Sequence, residues 1–120
     1  MTLHVPPTRL GAPHPEEYAV VVEHAELTVE AGREQEFQEV FGKAREVLAG
    51  ADGFRWAELL SCVERPRVFL LLVGWDSVEA HTAGFRESER FARWRALVGP
   101  FFAAPPAVEH YRELGDRFTG

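Results

Sequence analysis

Two short segments that are apolar on both alternating faces constrain the fold of this chain most. Residues 68–75 read VFLLLVGW, and residues 18–29 read YAVVVEHAELTV, which is apolar on both faces as far as His24. The first run is too short for a buried helix of ordinary length and the second is rich in β-branched residues, so both predict strands. A strand that is apolar on both faces is typical of the middle of a sheet. We therefore expect two central strands.

The remaining apolar periodicity predicts helices. Apolar residues recur at helical spacing in the segment that precedes Gly50, and a glycine just past the last turn is a common helix end. Asp76 is followed three residues later by Glu79, the pattern of a capping box at a helix N-terminus. The stop of the last helical piece is predicted at Gly99 and Pro100. The predicted helical segments, in chain order, are 31–49, 77–86 and 88–98.

The order of the elements predicts the fold class. The predicted strands are 18–29, 54–62, 68–75 and 107–114. Taking the last two helical pieces as one crossover, the order is β-α-β-β-α-β, that of the ferredoxin-like split βαβ arrangement. Right-handed crossovers then place the first and third strands in the centre and both helices on one face. We expect an α+β domain with a four-stranded antiparallel sheet.

Composition divides the chain into an arm, a domain and a tail. Within 120 residues, one packed core is expected over residues 18–114. Residues 1–17 contain four prolines and predict an extended arm, and residues 115–120 predict a short tail. The prolines of the arm are Pro6, Pro7, Pro13 and Pro15.

Charge and cysteine content exclude several classes of partner. The formal net charge is −6, and no stripe of basic residues offers a surface to phosphate backbones, so no nucleic acid partner is expected. No apolar stretch approaches the length that spans a bilayer, so no membrane partner is expected. The single cysteine, Cys62, cannot form an intrachain disulfide and favours a reducing, cytoplasmic location.

The two central strands also predict self-association. Helices cover only one face of the predicted sheet, although both central strands are apolar on both faces. The uncovered face needs an apolar partner, and the same face of a second copy satisfies this requirement symmetrically. We expect a homodimer that forms through the exposed sheet face.

A motif around the third strand identifies a family resemblance. The stretch VGWDSVEAH at residues 73–81, followed by FRES at 85–88 and by Phe91, resembles the antibiotic biosynthesis monooxygenase domain. Further matching points are Gly32, the pair Gly53-Phe54 and the pair His110-Tyr111, and the likeness extends over about residues 19–112. The resemblance implies a dimeric α/β barrel. It also implies one of several activities, which include oxygenation of aromatic compounds without metal or flavin and degradation of heme.

Three positions weaken the resemblance to particular branches. Members that degrade heme carry an Asn, a Trp and a His at the positions that correspond to Ala25, Gly84 and Arg95 in this chain. Many members that oxidise quinols carry a His at the position of Gly84. Heme binding is therefore the less favoured alternative, and the substitutions also favour a barrel that binds a small apolar ligand without catalysis.

Oxygenation without a cofactor requires a base, a group that stabilises an anion, and a dry pocket. His81 is the leading candidate for the base, because its spacing from Val78 and Phe85 places it on the apolar face of the second helix. The alternative is a core histidine with one hydrogen bond. We expect no bound cofactor and no metal.

Glu23 is the second catalytic candidate. Strand alternation groups it with Val21 and Ala25 on the helix side, where burial raises the pKa of a carboxyl and where it can act as a base or orient His81. The alternative is an ion pair with one of two arginines on neighbouring strands, Arg55 or Arg67.

Other polar residues complete the candidate set. His24 is assigned to the opposite sheet face, at the subunit contact. A metal site that joins Glu23, His24 and His81 has no supporting spacing. His110 and Tyr111 alternate on the last strand, so only one of them can face the pocket.

An aromatic set and an arginine are the predicted substrate contacts. Aromatic side chains can stack on a planar ligand, although core packing is the commoner role at helical spacing. Arg86, together with Arg95, can stabilise an anionic oxygen at the pocket mouth. The predicted substrate-binding residues are Trp75, Phe85, Phe91, Trp94 and Arg86. The leading hypothesis is a cofactor-independent monooxygenase that acts on a small phenolic, anthrone or quinol-like compound.

Overall fold

The computed structural model describes residues 20–115 and 118–120. Four strands and two α-helices are joined by a π-helical turn, Ala80–Phe85, and a 3₁₀ turn, Gly99–Phe101. The predicted arm at residues 1–17 lies outside the described residues, as do part of the first predicted strand and two residues of the predicted tail. The strands are β1 (Val21–Thr28), β2 (Phe54–Ser61), β3 (Val68–Trp75) and β4 (Ala107–Arg112), and the helices are α1 (Glu34–Ala49) and α2 (Glu89–Val98).

The sheet has the order β2-β3-β1-β4, and all neighbouring strands are antiparallel. The two strands that are apolar on both faces are therefore the central ones, which confirms the predicted ferredoxin-like α+β topology. β3 has the predicted limits. β2 ends at Ser61, one residue earlier than predicted, and β4 ends at Arg112 rather than at residue 114.

One face of the sheet packs against the helices and forms the core. Along β1, Val21, Glu23, Ala25 and Leu27 are buried and alternate with half-buried residues, so the predicted assignment of faces is confirmed. On β3 the corresponding residues are Phe69, Leu71, Val73 and Trp75, all at most 3% exposed. Phe37 and Phe41 of α1 and Trp94 and Val98 of α2 close the core from the other side.

Helix α1 begins later than predicted. It starts at Glu34 instead of residue 31, because Gly32 adopts φ of 85° in the turn that precedes the helix. This left-handed conformation suits glycine and stops the helical pattern from extending backward. Gly50 caps the C-terminus as predicted, with its N–H bonded to the carbonyl of Leu48.

The segment after β3 differs from the predicted second helix in two ways. Ser77, not Asp76, caps it: the Ala80 N–H donates to Ser77 Oγ at 3.0 Å, while Asp76 pairs with Arg55 at 2.7 Å. The segment then widens into the π-helical turn, in which the Arg86 N–H bonds the His81 carbonyl at 2.9 Å. Ser88 starts α2, and its Oγ accepts from the Phe91 N–H at 3.3 Å.

The other face of the sheet is uncovered in the single chain, and the sheet is open. Trp56 of β2 lies over Gly74 of β3 on this face, where a Cβ on the glycine would collide with the indole ring. His24 and Tyr111 lie beside each other on the same face, with ring centroids 5.3 Å apart. Among the helices of the described residues, none combines the length and the apolar character needed to cross a membrane.

Candidate functional site

A cleft of about 550 Å³ opens between the helix-facing side of the sheet and the segment that connects α2 to β4. Most of its lining residues are apolar, although polar and apolar atoms share its surface about equally, and four ionisable side chains reach it: Glu23, His81, Arg86 and Arg95. The apolar lining includes Ala25, Leu27, Leu71, Phe91, Trp94, Phe102, Pro105, Pro106 and Val108. The cleft can thus enclose a small apolar molecule beside a few charged groups.

Glu23 is a buried carboxyl at this cleft, with 7% of its surface exposed. The indole N–H of Trp75 donates to its Oε1 at 3.0 Å, and His81 Nε2 lies 3.3 Å from the same oxygen. Among the described residues, the second oxygen, Oε2, has no hydrogen-bond partner. Glu23 lines the cleft, so we take Oε2 as the oxygen of this carboxyl that a ligand can approach.

His81 links Glu23 to a second histidine. Its Nδ1 lies 2.8 Å from His110 Nε2, and its ring stacks on Trp75 with centroids 5.3 Å apart and planes at 20°. β1 and β4 pair Glu23 directly with His110, and the π-helical turn places His81 above both. The three side chains Glu23, His81 and His110, which we call the Glu-His-His cluster, therefore form a continuous line of polar contacts.

Burial sets the protonation of the Glu-His-His cluster. It raises the pKa of Glu23 above 4.5, while the Trp75 hydrogen bond and the Arg86 charge oppose the rise. Burial, with smaller contributions from His110 and Arg86, lowers the pKa of His81 from 6.5 to about 4. The pKa of His110 is also lowered, again by burial first and then by Arg86. Both imidazoles are therefore neutral at neutral pH, and the Glu23–His81 contact is not an ion pair.

The structure brings together most of the predicted site residues and corrects others. His81 and Glu23 meet at the cleft, and Arg86, Phe91 and Trp94 line it as expected. The alternative ion pairs of Glu23 are wrong, because Arg55 binds Asp76 and Arg67 Nε donates to the Val29 carbonyl.

Trp75 and Phe85 are not among the residues that line the cleft, so the structure does not bring these two predicted substrate contacts to it. Trp75 is fully buried and Phe85 is 3% exposed, and their rings pack against each other and against His81. His24 lies on the opposite sheet face, so it does not join Glu23 and His81 in a metal site. No metal-binding group of three or more suitable side chains occurs within the described ranges.

Sequence reasoning did not find that His110 pairs with His81. The alternation of His110 and Tyr111 showed that one of them faces the pocket, and the predicted topology places β4 beside β1. Only the register between β1 and β4, in which Glu23 lies opposite His110, shows that His110 is the residue on the side of His81. The segment 102–106, which forms one wall of the cleft, also carried no sequence signal for this role.

The residues present do not fit a heme iron at the Glu-His-His cluster. Both ring nitrogens of His81 face protein groups, Glu23 on one side and His110 on the other, so neither is directed at a ligand. His110 is not among the residues that line the cleft. Of the three positions that weakened the heme hypothesis, Ala25 and Arg95 line the cleft and Gly84 does not. We therefore derive no chemistry through heme.

Comparison with known proteins confirms the resemblance noted in the sequence. The family model described as antibiotic biosynthesis monooxygenase matches residues 20–97, which include β1, β3 and most of α2. The uncharacterized protein YczJ of Bacillus subtilis (strain 168) is 38% identical over 95 residues, which are 79% of this chain and 100% of YczJ.

Solved structures show the same fold. A protein of Bordetella bronchiseptica, described as an antibiotic biosynthesis monooxygenase, is 36% identical and superposes with a TM-score of 0.77 over 79% of this chain and 97% of its own. The monooxygenase from the gene ActVA-Orf6 of Streptomyces coelicolor, solved with nanaomycin D, is 18% identical and shares the fold at a TM-score of 0.70, over 89% and 96% of the two chains. This chain belongs to the antibiotic biosynthesis monooxygenase family.

Proposed function

We propose that the protein is a cofactor-independent monooxygenase that oxidises a small phenolic, anthrone or quinol-like compound. The observation that carries this proposal is the buried carboxyl of Glu23 at the cleft, whose Oε2 has no hydrogen-bond partner among the described residues. Its other oxygen is held by Trp75 and His81, so the carboxylate has one fixed side and one side that a substrate proton can reach. A buried carboxylate with a raised pKa is a stronger base than one in water.

The chemistry begins with proton transfer from the substrate to Glu23 Oε2. The resulting carbanion or phenolate is electron-rich and passes one electron to O₂, and the radical pair combines to a carbon-bound peroxide anion. The peroxide takes the proton back from Glu23, and loss of water from the hydroperoxide leaves a carbonyl. The sum is R₂CH₂ + O₂ → R₂C=O + H₂O, so one oxygen atom enters the product and the carboxylate is regenerated.

Two arginines support the anionic stages of this reaction. Arg86 and Arg95 both line the cleft, and Arg95 also lies 6.0 Å from the ring centre of Phe91. A guanidinium near the developing oxyanion lowers the barrier more in a dry site than in water.

The likeness to a monooxygenase that holds nanaomycin D adds support for an aromatic substrate. That ligand belongs to the Streptomyces protein, whose likeness to this chain is one of fold. The ring-lined side of the present cleft, with Phe91, Trp94 and Phe102, offers faces to a planar molecule of similar character.

The proposal is tested by O₂ uptake with purified, chelator-treated protein and a panel of anthrones and dihydroxynaphthalenes. We expect uptake that depends on protein and falls by roughly two orders of magnitude in Glu23→Gln. Glu39→Gln is the matched control, because Glu39 is exposed on α1, away from the cleft and from the uncovered sheet face. Uptake that is equal in both variants would remove Glu23 from the reaction. Ligand binding to the protein without uptake would favour the non-catalytic barrel.

We also propose that two copies associate through the uncovered sheet face. This face carries half-buried Leu70 and Leu72, with Leu60 41% and Tyr111 51% exposed, beside the indole of Trp56. Such a patch on both copies favours a symmetric dimer. In sedimentation at micromolar concentration we expect a dimer that Leu72→Glu dissociates. Arg45→Gln, on the exposed side of α1, serves as the control, and a wild-type monomer would contradict the proposal.

A further inference from the structure

We infer that His110 is a positioning residue that fixes the tautomer of His81, so that the Nε2–H of His81 points at the Glu23 carboxylate. This inference rests on the proposed function, since it gives the buried base a hydrogen-bond donor that favours its ionised form. It gives His110 a role that His110 performs without touching the substrate.

The short contact between the two imidazoles requires one donor and one acceptor. His81 Nδ1 and His110 Nε2 are 2.8 Å apart, a distance at which one nitrogen carries the hydrogen and the other supplies a lone pair. Because both imidazoles are neutral at neutral pH, each carries a single N–H. Two arrangements remain: either His110 donates to His81, or His81 donates to His110.

The two arrangements place opposite groups in front of Glu23. If His110 donates, His81 carries its hydrogen on Nε2, which lies 3.3 Å from Glu23 Oε1 and attracts an ionised carboxylate. If His81 donates, the lone pair of Nε2 faces Glu23, and repulsion between lone pairs is relieved only when the carboxyl is protonated. The tautomer of His81 and the charge of Glu23 are therefore coupled.

Two groups around Glu23 favour the first arrangement and oppose burial, which raises the pKa of this carboxyl. The Trp75 N–H of β3 donates to the same oxygen at 3.0 Å, which favours the carboxylate. Arg86, which follows the π-helical turn, contributes a positive charge, and Arg95 of α2 lies at the same cleft. In this arrangement His110 donates through Nε2, which leaves its Nδ1 without a hydrogen.

Loss of the His110 donor releases the tautomer of His81. In His110→Phe, Nδ1 of His81 has no donor, the Nδ1–H tautomer becomes accessible, and Glu23 takes up a proton more readily. His110→Gln is the conservative variant, because a glutamine amide nitrogen occupies nearly the place of Nε2 and can donate to His81. We expect the acidic limb of the pH profile to move upward by about one pH unit in His110→Phe and to return in His110→Gln.

The direct test is ¹⁵N-resolved NMR of the histidine rings in the intact protein near neutral pH, with His81→Gln used to assign the His81 signals. We expect His81 as the Nε2–H tautomer in the wild type, in His110→Gln and in the control Glu39→Gln, and a mixture of tautomers in His110→Phe. An Nδ1–H tautomer of His81 in the wild type, or an unchanged tautomer in His110→Phe, would overturn the inference.

This spectrum needs no turnover, so the two proposals fail separately. Absence of O₂ uptake together with the expected tautomer would refute the oxygenase and leave the role of His110 intact. O₂ uptake together with the Nδ1–H tautomer of His81 would refute the role of His110 and leave the oxygenase intact.

Discussion

Lowering the pH is the perturbation that most directly tests the burial of His81. His81 is 3% exposed, and burial, with His110 and Arg86, lowers its pKa from 6.5 to about 4. The unfolded chain therefore binds a proton at this histidine in a range where the folded protein does not. The contribution of His81 to the free energy of unfolding is therefore complete above its pKa in the unfolded chain, and it is lost as the pH falls toward its pKa in the folded protein.

The size of the loss follows from the two pKa values. A tenfold difference in proton affinity is about 1.4 kcal/mol, so lowering the pH from about 7 to about 4 removes about 3 kcal/mol of stability through His81. Glu23 acts in the opposite direction, because its pKa is raised by burial and the folded protein gains by binding a proton there as the pH falls. A variant that removes only the titration of His81 separates the two contributions.

His81→Gln is that variant, since the amide is neutral throughout and can still donate to Glu23. Urea unfolding, followed by tryptophan fluorescence at one protein concentration, measures the free energy at both pH values. We expect the wild type to lose about 3 kcal/mol more than His81→Gln between them. Equal losses in the two proteins would refute the claim that His81 is held neutral by burial.

Two further predictions concern the frame that holds the site. Phe37 is fully buried and packs against Phe69 at a centroid distance of 4.9 Å. We therefore expect Phe37→Ala to lower the free energy of unfolding by about 3–5 kcal/mol. A loss below about 1 kcal/mol would contradict this packing. Ser88 caps α2, so Ser88→Ala costs about 1 kcal/mol in the same assay while Ser88→Asp, which can also cap a helix, costs less.

The sheet topology could be predicted because two strands carry a strong and simple signal. The runs that became β1 and β3 are apolar on both faces, and only the centre of the sheet accommodates both. Gly53 contributed to the family motif for a physical reason that the sequence did not reveal. Its φ is 80°, and a Cβ there would lie 2.7 Å from that of Ala80. The start of the segment after β3 therefore packs against this turn.

The site was less accessible to prediction because its contacts depend on register and depth. Glu23 and His81 were found, but the choice between His81 and an arginine as the partner of Glu23 depended on where Arg55 and Arg67 lie. Trp75 was predicted to contact the substrate because aromatic residues occur both in cores and in ligand pockets. Sequence spacing does not show whether such a side chain lies in the core beneath His81 or in the cleft. The π-helical turn had no signal, since its apolar spacing also suits an α-helix.

The most direct test of the central claim is the absorption spectrum of a dihydroxynaphthalene bound to the protein without oxygen, at a pH below the pKa of the free compound. We predict the spectrum of the bound naphtholate with the wild type and with Glu39→Gln, and that of the neutral naphthol with Glu23→Gln. A bound ligand that stays neutral on the wild-type protein would contradict the claim that Glu23 ionises the substrate.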